Sequence, residues 1–174
     1  MFEFADPTLA RLDMLSVRAV CCVAFDDERP AGGVLSLVDW RLAGAVSRRM
    51  RDGFISGAVG ERVLLGTNGK FPFDKVVVVG AGPKRAFDVD AFEAVATATF
   101  GVLAELEVHE AAWELPGVPT AVPAEAAFER LVPCMRRDTN LDELTLLGSP
   151  DLAKPLAVVL ERDRRKAQSI VPPG

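Results

Sequence analysis

Apolar residues recur along this chain in two periods, one suited to strands and one to helices. Val17 to Phe25, VRAVCCVAF, is almost uniformly apolar and β-branched at Val17, Val20 and Val23. It is too short for an independent helix, so it predicts a strand covered on both faces at the centre of a sheet. Lys75 to Val79 brings four consecutive valines, whose stiff χ1 suits a pleated surface, and predicts a second central strand. Between them the chain crosses a glycine-containing loop and then predicts an amphipathic helix opening at Asp39-Trp40. Leu42, Val46 and Met50 fall four apart on its core side with Ala43 beside them, and Arg41, Arg48, Arg49 and Arg51 take the watered side. Asp39 is the expected cap of the first turn and Gly53 the left-handed stop.

Further along, Arg62 to Leu65 reads as a strand and Thr67-Asn68-Gly69-Lys70 as a turn, because Asn-Gly tolerates positive φ. Asp88 to Leu106 predicts a long helix. Asp90 and Glu93 match the spacing of a capping box there, and Phe92, Val95, Ala96, Thr99 and Leu103 trace one face. From Leu106 the period becomes two, with Leu106 and Val108 inward and Glu107 and His109 outward, until Pro116-Gly117 signals a turn. Ala124 to Val132 predicts a helix built on Phe128, Leu131 and Val132, with Pro133 as its stop. Glu143 to Leu147 is the last expected strand. A carboxy-terminal helix from Asp151 carries Leu156, Val159 and Leu160 as a stripe and reaches the basic run Arg162 to Lys166. Phe2-Glu3-Phe4 is a candidate edge strand ended by Asp6-Pro7, and Pro172-Pro173-Gly174 is expected to be a loose end. Strands alternating with helices define an α/β layered domain.

Composition narrows this picture. The 174 residues are the size of one ordinary domain, and we expect a single domain over 1–174. With 49% hydrophobic and 26% charged residues the chain is globular rather than disordered, and no apolar run has the length of a membrane span. The opening MFEFADPTLARLDM carries acids where a secretory signal has a basic region, so the expected location is the cytoplasm. Cys21, Cys22 and Cys134 cannot all pair, and the adjacent two point to opposite faces of a strand, so they read as buried thiols. Net charge is −5 and basic residues are interleaved with acids, which excludes an extended nucleic-acid stripe while leaving room for local basic patches.

Candidate chemistry is sparse. Gly80-Ala81-Gly82 directly follows the valine strand, but Arg85 replaces the third glycine of a dinucleotide fingerprint and Pro83 sits where the helix should open. Two readings stay open: glycines that end a buried strand, or amides that bind an anion together with Lys84 and Arg85. His109, the only histidine, reads as a surface residue without the partners that a metal or a general base requires. The serines lie in no nucleophile elbow, and the acidic pairs Asp26-Asp27 and Asp88-Asp90 are explained by a loop and by capping. No catalytic residue, metal ligand or cofactor is expected.

The order of short motifs resembles the amino-terminal domain of the M17 leucyl aminopeptidase family. An acidic residue, Arg29-Pro30 and a glycine follow a buried strand. Then come Val38-Asp39-Trp40-Arg41-Leu42 with Gly44 and Ser47, a Phe-x-x-Gly step at Phe54 and Gly57, and Pro72-Phe73 before KVVVVGAG. The resemblance covers roughly residues 10 to 135 and implies a macro-domain-like three-layer fold, a mixed β-sheet flanked by helices. In that family the two-metal peptidase site belongs to a separate carboxy-terminal domain with an Asn-Thr-Asp-Ala-Glu-Gly-Arg type motif that has no match here, so peptidase activity and its metals are not expected to carry over. What the resemblance implies is a noncatalytic interaction or assembly domain, with a second copy of the chain or another protein as its partner. The alternative is a binder of a nucleotide or ADP-ribose-like anion, since macro-like domains bind ADP-ribose. Gly32 and Gly33 in the first post-strand loop and Gly80, Gly82, Lys84 and Arg85 in the second are the candidate ligand residues. Neither nucleic acid nor membrane is an expected partner.

Overall fold

The computed structural model describes residues 1–138 and 140–169. Six strands form one sheet: β1 Phe2–Ala5, β2 Ala19–Ala24, β3 Arg62–Gly66, β4 Lys75–Gly80, β5 Glu110–Glu114 and β6 Glu143–Leu147. The helices are α1 Leu9–Leu12, α2 Gly33–Arg41, α3 Ala45–Arg51, α4 Val89–Glu105, α5 Ala124–Asp138 and α6 Ala153–Ser169. Spatial strand order is β1-β6-β5-β2-β4-β3, parallel throughout except for β3, which runs antiparallel to β4 at one edge. β2 is buried at every position, as its unbroken apolar run predicts.

The period of two along the central strands divides the interior into two cores. Ala19, Cys21 and Val23 of β2 with Val77 and Val79 of β4 face α4, α5 and α6. Val20, Cys22 and Ala24 with Val76 and Val78 face α1, α2 and α3. The result is a mixed sheet between two helical layers. Trp113 on β5 sits in the first core between Phe92 and Phe100 of α4, each ring centroid 5.6 Å away. Leu156 and Val159 of α6 are buried in the same core, where the helix packs on α5.

Four boundaries differ from expectation, each for a local reason. The helix expected from Asp39 is two helices: Ala43 and Gly44 adopt left-handed φ of 53° and 77°, which interrupts the helical ladder, and α2 already begins at Gly33. Asp39 does cap a helix, but through space. It lies inside α2 and accepts the Val46 and Ser47 N–H groups of α3 at 2.8 and 3.0 Å. The cap of α4 is Asp88, which accepts from Asp90 and Ala91, while Glu93 reaches across to Arg130. Residues Leu106 to His109 are a turn, with Glu107 at φ 51°, so β5 begins at Glu110. Finally, α5 runs through Pro133, because burying Cys134 beyond it in the core offsets the N–H that proline removes and the crowding of its ring against the preceding turn. The terminal Pro172-Pro173-Gly174 lies outside the described residues. Among those described, no helix is long and apolar enough to cross a membrane.

At the carboxyl ends of β2 and β4 three segments cross in contact. A Cβ at Gly80 would overlap the Ala58 carbonyl oxygen, and one at Gly57 would lie 2.5 Å from the Phe25 carbonyl carbon. Hydrogen bonds close the crossing: Gly82 N–H to Gly57 O at 2.8 Å, Gly80 N–H to Glu61 O at 2.8 Å and Asp26 N–H to Gly82 O at 3.0 Å. Arg29 donates to the Phe25, Glu28 and Ser56 carbonyls. The Glu61 carboxylate accepts from the Ser56 N–H and hydroxyl and from the Gly57 N–H. Burial pushes the Glu61 carboxyl up, but those hydrogen bonds and the nearby Arg29 outweigh it, and its pKa falls below the ordinary value.

Two tests follow from this packing. Met50, 7% exposed, should cost about 2 to 5 kcal/mol when cut to Ala, and exposed Arg48 well under about 1 kcal/mol, by urea denaturation. Equal costs would reject the register of α3. Glu61→Ala should cost about 2 kcal/mol at about pH 7, since two loop N–H groups lose a charged acceptor. Because the folded pKa lies below the unfolded one, this contribution holds above the ordinary value of 4.5 and disappears as pH falls through the folded pKa. Wild type should therefore lose its advantage over Glu61→Gln on acidification; a constant difference would contradict the assignment.

Candidate functional site

The chain leaves β2 toward β4 on one side and later places β5 on the other, so the strand order reverses at β2. Open α/β sheets bind ligands in the crevice beyond the carboxyl ends of the strands at such a reversal. Here that crevice has a volume of about 200 Å³, and Phe25, Glu28, Gly32, Gly33, Lys84 and Glu114 line it. β2 delivers Phe25 and the loop carrying Glu28, β5 ends on Glu114, and α2 opens at Gly33 with the Gly32 and Val34 N–H groups directed at those two acids.

That positive helix end is already matched by the protein's own acids. Glu114 accepts the Val34 N–H at 2.8 Å, standing in for the side-chain cap that Gly32 cannot provide. A Cβ at Gly33, whose φ is 54°, would collide with the Glu114 carboxylate, so the glycine is what lets strand and helix meet. Glu28 accepts the Gly32 N–H at 3.3 Å and pairs with Lys84 Nζ at 2.5 Å. Burial pushes the half-buried Glu114 carboxyl above its ordinary value; the Val34 N–H opposes this, Glu28 adds to it and Lys84 relieves part of it. An incoming phosphate would meet two carboxylates where a helix terminus otherwise offers bare N–H groups.

Of the residues singled out from sequence, Gly32, Gly33 and Lys84 converge on this crevice. Gly80 and Gly82 belong to the strand crossing, their amides engaged by the Glu61 and Gly57 carbonyls. Arg85 is exposed, outside the lining, and its N–H points to Asp27 at 3.4 Å. Asp27 also accepts the Lys84 N–H at 2.6 Å, and this bond first, then that of Arg85, holds its carboxyl below the ordinary value. Sequence reasoning missed Glu28 and Glu114. The available signal was an acid closing a buried strand just before Leu115-Pro116-Gly117.

The histidine and the cysteines stand apart from this crevice. His109 is exposed at the far end of β5, its ring 3.0 Å from the Asn140 carbonyl. Cys21, Cys22 and Cys134 are buried free thiols, and burial pushes those of Cys21 and Cys22 up, away from nucleophilic thiolate. Among the described residues no group of three or more His, Cys, Asp or Glu is placed to hold a metal.

In fold, this mixed sheet between two helical layers is that of the macrodomains of known structure. A Trypanosoma brucei macrodomain in complex with ADP-ribose superposes with a TM-score of 0.68 at 15% identity, over 91% of this chain and 68% of that one. A mutant of tomato leucine aminopeptidase superposes with a TM-score of 0.64 at 16% identity, over 91% of this chain and 35% of that one. Within that fold, residues 20–132 match the N-terminal domain of the cytosol aminopeptidase family, and the chain belongs to that family. A probable cytosol aminopeptidase of Azotobacter vinelandii is 31% identical over 97 residues, which are 56% of this chain and 20% of that protein. The matched region thus spans about a fifth of the length of this relative.

The crevice makes a prediction about pH. Glu114→Gln keeps an oxygen for the Val34 N–H and removes a charge that burial disfavours. Because the folded pKa of Glu114 is raised, the wild type is relatively favoured below the ordinary value of 4.5 and loses stability as pH rises through the folded pKa. The variant should match wild type in acid and exceed it at about pH 7, by thermal unfolding across that range. A variant less stable at neutral pH would show that the Glu114 charge holds α2 in place.

Proposed function

We propose that this chain is a noncatalytic interaction or assembly domain, working in the cytoplasm as the names of its cytosol aminopeptidase relatives suggest. The observation that carries this reading is the pair Glu28 and Glu114, which fill the helix end where a macrodomain crevice would receive an anion. The family match points the same way, since it falls on the amino-terminal domain. Exposed apolar side chains add support. Trp40, Phe54, Val59 and Leu64 are 70%, 62%, 73% and 49% exposed, and all four come from the segment running from the end of α2 to β3. A binding face on this segment would draw on these exposed apolar side chains.

The second reading, a nucleotide or ADP-ribose binder, draws on the ADP-ribose complex of the trypanosomal macrodomain. Gly32, Gly33 and Lys84 in the crevice favour it; the two carboxylates oppose it.

Calorimetric titration with ADP-ribose and sedimentation over a concentration series decide between them. We expect no ADP-ribose binding up to about 1 mM, the range of −4 kcal/mol. Self-association should appear at rising concentration and weaken when Trp40 and Phe54 are both changed to Glu. Leucine anilides with added zinc or manganese should not be hydrolysed. Saturable ADP-ribose binding, or chelator-sensitive hydrolysis, would overturn the proposal; a chain that stays monomeric would reject the self-assembly form of it.

A further inference from the structure

A second concavity lies away from the crevice, between the α2–α3 elbow and the turn joining β3 to β4. Its volume is about 390 Å³, and the charged side chains lining it are Arg41, Arg48, Arg49 and Lys70, with no carboxylate among the lining residues. Two left-handed turns build it. Ala43 and Gly44 swing α3 around so that Arg48 and Arg49 face the sheet edge, and Asn68 and Gly69, at φ 51° and 73°, fold Lys70 back toward them.

The charge state of these four side chains is uneven. Arg41 is neutralised by a two-pronged pair with Asp13, both bonds 2.7 Å, and lies over the Phe71 ring, 5.2 Å from its centroid. Arg48 and Arg49 donate only to backbone carbonyls, Ala43 O at 2.8 Å and Ala45 O at 3.2 Å. Carbonyls orient a guanidinium without cancelling its charge. Among the described residues Lys70 likewise forms no ion pair. In a chain of net charge −5, three uncompensated cations therefore converge on one hollow. Their mutual repulsion is relieved by an anion there, and each guanidinium retains free N–H groups in the fork geometry that suits an oxyanion.

We propose that this hollow binds a small multivalent oxyanion, a phosphoryl or polycarboxylate group held by Arg48, Arg49 and Lys70. The site is distinct from the crevice at the strand ends, where the protein's own carboxylates occupy the equivalent position. Both ligand sources share the same chemistry, and inorganic pyrophosphate and citrate tell them apart.

The test is titration of the whole chain with each anion, followed by amide chemical shifts. We expect shifts centred on Gly66, Asn68 and Gly69, affinity that falls steeply with added salt, and at least tenfold weaker binding in Arg48→Gln/Arg49→Gln. Lys70→Gln, on a turn rather than in a helix, should weaken binding as well and guards against a folding defect in α3. Arg162→Gln, which removes a paired arginine elsewhere, should change the affinity less than about twofold. Pyrophosphate binding without citrate binding assigns a phosphoryl ligand; the converse assigns a polycarboxylate. Binding of neither, shifts centred on Gly32 and Gly33 instead, or equal weakening by Arg162→Gln overturns the proposal.

Discussion

The crevice end of this domain depends on one crossing, where Gly57 meets Phe25 and Gly80 meets Ala58. Backbones can approach this closely only without Cβ atoms. The crossing sets where β2 and β4 stop, and so where the loops carrying Glu28 and Lys84 begin. Glu61 and Arg29 hold it from either side, one as acceptor of loop N–H groups and the other as donor to loop carbonyls. Gly57 to Gly60, whose side chains are absent, small or exposed, are thereby held by polar groups.

The elbow between α2 and α3 shows a second economy of parts. Asp39 belongs to one helix by backbone and to the next by its carboxylate, and its contact with Ser47 ties the two together across the left-handed residues. The same turn directs Val46 and Met50 inward and leaves Arg48 and Arg49 outside. Burial on one side and an unpaired positive field on the other come from a single change of chain direction.

Much of the layered fold was legible in the sequence because hydrophobic period is a strong signal in buried strands and long helices. VRAVCCVAF, the valine run and the Phe92 to Leu103 face all appear where their spacing puts them. Boundaries were less legible, since they depend on contacts distant in sequence. Asp39 as cap of the following helix, and Pro133 carried inside α5 by a buried Cys134, are decided by tertiary packing rather than by local propensity. The crevice was half legible for a similar reason. Glycines after strands announce loops, so Gly32 and Gly33 could be found; Glu114 lies eighty residues from its partner Val34, and no spacing rule joins them. Family resemblance supplied the architecture, but a resemblance does not reveal that an acid has taken over a helix end.

The adjacent thiols in β2 carry a consequence for how the two sides of the sheet come apart. Cys21 is sealed beneath α4, α5 and α6, and Cys22 beneath α1, α2 and α3, so neighbouring sulfurs report on different layers. A fluctuation that lifts one layer uncovers one sulfur and leaves the other dark to an alkylating reagent, whereas global unfolding uncovers both at a common rate. The strand therefore holds a built-in clock with two hands, able to distinguish peeling of a single layer from cooperative collapse of the whole domain.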